Sequence, residues 1–278
     1  MVRTVKKRLC SVPRWAVLIF FLIITLYPVI WMIFGSLKDT GEFYMNIWGI
    51  PKAFHFENYV EAWIRGGLGR KYINSIITTG LFMLIVLPVN CCAAYALART
   101  RFKGRRFIYL FLLVGMMIPG GVLGMPTYSV ALKLGLVNKL WGISLVYAGQ
   151  AISFGVFLMR SFYISLPKSL EDAAMIDGCN RFQSFMKVVL PLTKPGIMIQ
   201  VVFSGLNTWN EYFLASIMLR SEGVKTLPLG IMTFVGEYST DFPQMFAALT
   251  CATLPLILIY LFAQKQFIEG LTAGATKG

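Results

Sequence analysis

Long apolar runs separated by short polar connections dominate the chain. A helix crossing about 30 Å of hydrocarbon needs about 20 mostly apolar residues. Six segments meet that length, at roughly 15–37, 72–97, 107–131, 141–159, 189–219 and 245–263. The pattern predicts an all-α polytopic membrane protein with six transmembrane helices. Arg3, Lys6, Lys7 and Arg8 precede the first run, as they would in a signal peptide. That run exceeds 20 residues and no small-x-small site follows at once, so it reads as a retained helix. Helix breakers recur inside the runs. Pro28, Pro88 with Asn90, and Pro255 interrupt the first, second and sixth, and Gly115, Pro119, Gly120, Gly121, Gly124 and Pro126 crowd the third. Such breaks at membrane depth are tolerated where protein or a cavity re-satisfies the backbone. Packing kinks and a mobile wall of a path both fit them.

Composition agrees with the runs. Hydrophobic residues make up 57% of the 278 and charged residues only 14%. A soluble domain carries about 25% charged residues, so this chain lacks the polar surface for one. The net charge of +14 then needs a reason other than nucleic acid. With six spans, the N-terminus, the second and fourth connections and the C-terminus share one side. That side holds 17 of the 26 basic residues, and the other side holds nine. Basic residues favour the cytoplasm, so both termini are expected inside. Cys10, Cys91, Cys92, Cys179 and Cys251 show neither a disulfide framework nor metal-ligand spacing. The single histidine, His55, reads as a solvated residue of an outer loop.

Two stretches carry candidate chemistry. In the fifth run Ser204, Asn207 and Glu211 fall at i, i+3 and i+7, which is one helical face. Trp209, Asn210 and Tyr212 flank them. An ionisable residue within a span faces the bundle interior or a water-filled path. A polar lining of a path (Ser204, Asn207, Asn210, Glu211) and an inter-helix hydrogen bond both remain open, and so does the depth of Glu211. The other stretch is the cytoplasmic connection over 160–189, far longer than a simple turn requires. Pro167 opens it, and Ser169 is expected to cap a short helix with Glu171 and Asp172 in its first turn. Gly178 ends that helix as a C′ residue does. A second helical pattern runs over 182–189, with Pro191 and Pro195 beyond. The product is an elbow between the fourth and fifth helices at the membrane surface.

These residues resemble a known signature. Glu171, Asp172, Ala173, Ala174, Asp177 and Gly178, with Val188 and Leu190-Pro191 downstream, are similar to the cytoplasmic EAA loop of ABC importer permeases. Asp172 departs from that pattern by splitting the glutamate from the two alanines. The likeness extends to Asn74-Ser75, to Ala93 through Arg99, and to Gly135-Leu136-Val137-Asn138. It continues through Trp209-Asn210-Glu211-Tyr212, Thr226-Leu227-Pro228 and the Gly270–Gly278 tail. Over about 13–278 the chain resembles the carbohydrate branch, and within it the smaller, maltose-type permease. That resemblance implies a single permease domain over 1–278, with a core at about 70–265 and a peripheral first helix at about 15–37. It also implies a coupling site for an ATP-binding subunit at Glu171, Asp172, Ala173, Ala174, Asp177, Gly178, Leu190 and Pro191. A tail contact at Leu271, Thr272, Gly274 and Lys277 is implied as well. The expected partners are a second, different permease, a dimer of ATP-binding subunits, an extracytoplasmic solute-binding protein and membrane lipid. No cofactor is expected on this chain, since ATP and magnesium would sit on the partner. The implied location is the plasma membrane of a prokaryote.

Other classes fit less well. The chain has no GxxxxGK[ST], HExxH or GxSxG motif, so no enzyme signature is present. A secondary transporter would be expected to show internal repeats and midplane charges, and Glu211 is the one candidate carboxylate. A peptide or amino-acid ABC permease shares the elbow but not the tail and Trp-Asn-Glu-Tyr stretch of the sugar branch.

Overall fold

The computed structural model describes residues 11–236 and 240–275. In chain order the helices are α1 (Ser11–Ser36), α2 (Thr40–Met45), α3 (Glu57–Arg65), α4 (Leu68–Arg99) and α5 (Arg105–Met117). Next come α6 (Gly124–Lys133), α7 (Leu140–Ser165), α8 (Ser169–Ile176), α9 (Arg181–Ser184), α10 (Leu190–Leu192) and α11 (Lys194–Asn210). The last three are α12 (Phe213–Met218), α13 (Leu227–Ile231) and α14 (Phe242–Ala275). Among the described residues no strand forms beyond an isolated bridge between Val235 and Thr240. The all-α expectation therefore holds.

Among the described residues four helices are long and apolar enough to cross a membrane, at Trp15–Ser36, Leu68–Arg99, Leu140–Ser165 and Phe242–Leu261. A fifth crossing arises if Arg181–Leu192 and Lys194–Asn210, bent by 72° at their junction, count as one. Two expected spans thus take a different form. The single helix expected over 107–131 is two helices, α5 and α6, and the chain leaves α5 at Ile118 in extended conformation. Pro119 cannot supply an N–H and biases the residue before it toward extended backbone, so the break falls where the Pro-Gly-Gly run stands. The helix expected over 189–219 bends at Thr193 and ends at Asn210. Thr193 Oγ1 donates toward the carbonyls of Val189 and Leu190 at 3.0 and 3.1 Å. By contrast Pro28, Pro88 and Pro255 lie within unbroken helices.

The chain packs as two compact units. One holds the described residues within 1–68 and 231–253. In it Trp31, Phe43, Phe242 and Phe246 form an aromatic cluster, with Phe43 and Phe242 stacked at 5.2 Å and Trp31 edge-on to Phe246 at 4.9 Å. Asn58 donates to the carbonyls of Ser36 and Lys38 and closes the turn after α1. Residues such as Phe20, Phe21, Leu22, Ile23 and Ile24 of α1 are all exposed. A helix apolar on every face suits hydrocarbon rather than water.

The other unit holds residues 69–230 and the described residues from 254 onward. Two apolar cores lie along α4 and α7. The first joins Phe82 and Val86 to Ile143, Tyr147 and Ala148, and to Leu214, Ala215 and Met218 of α12. The second joins Cys91, Ala94 and Leu97 to Val156, Met159 and Tyr163, and to Phe185 and Val189 beyond α9. Leu, Val, Met and aromatic side chains at helical spacing fill both, as close packing requires.

Candidate functional site

Helix α8 starts after Pro167, with Lys168 rather than Ser169 at the N-cap and no side-chain capping bond. Ser169 therefore does not cap, contrary to expectation. Glu171 and Asp172 occupy the first turn and complement the positive end of the helix. The Schellman bonds are both present. Gly178 N–H donates to Met175 O at 3.1 Å and Cys179 N–H to Ala174 O at 3.0 Å. Gly178 sits at φ +86°, a conformation that glycine adopts without steric cost.

The two sides of α8 differ. Glu171 and Ala174 are buried. Glu171 Oε1 lies 2.8 Å from Arg99 Nε in a nearly buried ion pair. Its Oε2 accepts from Tyr95 Oη at 2.7 Å, and Arg99 Nη2 donates to Leu166 O at 2.7 Å. These two residues therefore fasten α8 to the end of α4. Asp172, Ala173, Asp177 and Gly178 are exposed on the other side, with Leu170 and Ile176 beside them at 39% and 86% exposure. A row of small and apolar groups thus faces away from the chain, where another surface can approach closely.

The return limb begins with a capping box. Asn180 accepts from Gln183 N–H, and the Gln183 side chain accepts from Asn180 N–H, each at 2.9 Å. A single π turn follows at Phe185–Val189. Pro191 cannot donate to the carbonyl four residues back, and its ring would crowd that carbonyl. A widened turn just before it relieves the clash. Phe185 packs on Tyr95 at 4.5 Å and on Tyr163 at 6.2 Å. Leu190 is half-buried and Pro191 exposed. Of the tail, Leu271, Thr272 and Gly274 lie in the last turns of α14, and Lys277 lies outside the described residues.

A cavity of about 240 Å³ opens between α4, α7 and α11. It is lined by Phe82, Tyr147, Gln150, Ala151, Phe154, Ser204, Asn207, Thr208 and Glu211. Ser204, Asn207 and Glu211 thus meet in one place, although not on one helical face. Glu211 ends α11 in extended conformation. Its carboxylate accepts from the N–H groups of Leu214 at 2.7 Å and Ala215 at 2.9 Å, and from Tyr147 Oη. Asn210 is outside the cavity lining and donates to Leu206 O at 3.0 Å. Trp209 is buried edge-on against Tyr72 at 5.5 Å.

Next to this cavity α4, α7 and α11 close on a polar cluster that sequence reasoning passed over. Asn90 and Gln200 are fully buried, and Asn90 Nδ2 reaches toward Ala151 O at 3.5 Å. Both amide atoms of Gln200 and the Oδ1 of Asn90 lack hydrogen-bond partners among the described residues. Gly155 makes room for them, since a Cβ there would stand 1.8 Å from Asn90 Nδ2 and 2.7 Å from Gln200 Nε2. The proximity of Asn90 to Pro88 was the available signal. Gln150, Phe154 and Thr208 offered none, because an isolated polar or aromatic residue in an apolar run has many uses.

Three quoted sequence stretches prove to be bonded structure. Asn74 Nδ2 donates to the carbonyls of Gly223 and Lys225 at 3.1 and 2.9 Å, and Ser75 Oγ accepts from Leu227 N–H at 2.9 Å. Asn138, at φ +61°, accepts on Oδ1 from the N–H groups of Arg220 and Ser221 at 3.0 and 2.9 Å.

Comparison with known proteins gives one consistent result. A family model described as "Binding-protein-dependent transport system inner membrane component" matches residues 90–272. A probable ABC transporter permease protein of Bacillus subtilis, YurM, is 36% identical over 264 residues, covering 95% of this chain and 88% of that relative. The arabinooligosaccharides transport system permease protein AraQ of the same organism is 33% identical, covering 96% of this chain and 97% of its own. Among solved structures, a chain of a bacterial ABC transporter involved in import of the acidic polysaccharide alginate superposes with a TM-score of 0.81. It is 25% identical and covers 94% of this chain and 98% of its own.

Proposed function

Since this chain belongs to the family of binding-protein-dependent transport system inner membrane components, we propose that it is one permease subunit of an ATP-driven sugar importer. In this reading it crosses a bacterial inner membrane six times, with both termini in the cytoplasm and one permease body. The uneven distribution of basic residues supports that orientation. The α5–α6 pair and the bent α9–α11 segment complete six crossings with the four long helices.

The observation that carries the reading is the two-sided α8. Glu171 is held to α4 by Tyr95 and Arg99, while Leu170, Ala173 and Ile176 face outward at the cytoplasmic surface. A separate ATP-binding subunit docks there and supplies the ATP and magnesium that this chain has no motif to hold. Gly178, Asp177 and the Leu190-Pro191 corner set the shape of the elbow, and the 271–277 tail adds a second contact. A second permease closes the path, and an extracytoplasmic binding protein delivers the solute. Arabinooligosaccharides are named for one relative and alginate for another. The cavity supports a carbohydrate in the same way, since Phe82, Tyr147 and Phe154 offer apolar faces and Gln150, Ser204, Asn207, Thr208 and Glu211 offer hydrogen bonds.

Reconstitution into vesicles tests this. The full assembly with its binding protein should take up sugar only with ATP. Ala173→Glu, which puts a charge on the docking face, should reduce uptake at least tenfold while the chain still inserts. Gradient-driven uptake by this chain alone would overturn the proposal.

A further inference from the structure

The connection between α4 and α5 packs four cations, Arg101, Lys103, Arg105 and Arg106, into six residues. Arg105 is committed internally, with its Nη1 donating to Thr100 O at 2.9 Å. Among the described residues Arg101, Lys103 and Arg106 have no carboxylate partner. Arg101, Arg105 and Arg106 line a concavity of about 640 Å³ together with Phe102, Gly104, Phe107 and Leu110. The apolar side chains there are open, with Phe107 73% exposed and Leu110 48% exposed.

The start of α5 adds to this charge. Gly104, at φ +85°, forms its N-cap, and no side chain caps the helix. Arg105 and Arg106, which open α5, also line the concavity, so the positive end of the helix dipole adds to the charge of the arginines there. No acidic residue stands in that turn to compete.

We infer that this concavity is a binding site for an anionic phospholipid. The headgroup phosphate sits on Arg101 and Arg106 at the start of α5, and an acyl chain lies along Phe102, Phe107 and Leu110. Two features select a lipid over a free anion. The wall is largely apolar, which inorganic phosphate cannot use. The site also stands where a spanning helix ends and an apolar helix begins, which is headgroup depth in a bilayer, and clustered basic residues at that depth attract anionic headgroups. The long arginine stems can lie along the apolar wall with their guanidinium groups at the surface. The inference requires only that α4 and α5 meet a bilayer, and it stands apart from the identity of the transported solute.

The full-length chain, purified and delipidated in neutral detergent, gives the test. Phosphatidylglycerol, phosphatidylcholine or inorganic phosphate is added, and thermal stability and retained lipid (by native mass spectrometry) are recorded. Phosphatidylglycerol should raise the melting temperature by several degrees and remain bound. Phosphatidylcholine and phosphate should do neither. The R101Q/R106Q double variant should lose at least tenfold in phosphatidylglycerol affinity, R101K/R106K should keep most of it, and Lys187→Gln, at a basic residue elsewhere, should behave as the parent. Both arginines are exposed, so folding should survive, and unchanged melting without lipid checks that. Equal effects of the two lipids, an equal effect of phosphate alone, or full binding by R101Q/R106Q would each overturn the site. Loss of partner capture in R101Q/R106Q with lipid binding intact would overturn it too, in favour of a protein contact.

Discussion

Gly155 and Gly178 are constrained in opposite ways. At Gly155 the limit is space, because an added Cβ would overlap Asn90 and crowd Gln200. Gly155→Ala should therefore destabilise the chain by about 1–3 kcal/mol, the usual cost of overpacking. The Asn90→Ala/Gly155→Ala double variant should recover part of that in a thermal melt. A Gly155→Ala chain as stable as its parent would disprove the crowding. At Gly178 space is open and the limit is the backbone. Gly178→Ala should cost about 1 kcal/mol, and Gly178→Asn less. His55 departs from the solvated role expected of it. It pairs with the Glu57 carboxylate through Nδ1, and Asp39 lies 3.9 Å from Nε2. The hydrogen bond to Glu57, aided by the charges of Glu57, Asp39 and Glu42, outweighs desolvation and raises its pKa above the ordinary value. A raised folded-state pKa gives stability that is complete below about pH 6.5 and is lost as pH rises through the higher value. Because His55 is the only histidine, NMR titration reads it directly, and a midpoint at or below 6.5 would refute the pairing.

The elbow shows how much of an element a sequence discloses. Its short helix, acidic first turn and C′ glycine were legible, because each is a local rule read within a few residues. The N-cap was not, since Ser169 is a favourable capping residue that the chain carries into the helix instead. The buried side of α8 was hidden too. Whether Glu171 points to a partner or to its own bundle depends on Tyr95 and Arg99, more than seventy residues earlier. Removing Arg99 would strand a nearly buried carboxylate, and Arg99→Gln should cost about 3 kcal/mol or more. Loss of under 1 kcal/mol on thermal melting would show the pair to be dispensable. Asn180→Ala, which opens the capping box, should cost about 1 kcal/mol. The end of α11 was equally obscure. Glu211 leaves the helix because its carboxylate is taken by the amides of α12 and by Tyr147, contacts that no periodicity announces.

For the whole molecule, the apolar runs were readable because crossing hydrocarbon demands length and composition, and both are visible in one dimension. The two compact units were not, since one of them joins Trp31 and Phe43 to Phe242 and Phe246 across two hundred residues of intervening chain. The cavity was half legible, through the polar residues of the fifth run and not through their aromatic neighbours. One helix gives these parts a mechanical relation. Phe82, on the cavity wall, and Tyr95, holding Glu171, both belong to α4. Thirteen residues separate them, about 20 Å of helix rise. Between them stands Pro88, which cannot donate to the carbonyl of Leu84. On the proposed function, a partner's push on the elbow would therefore reach the cavity along one helix whose most compliant point, by this missing hydrogen bond, is Pro88.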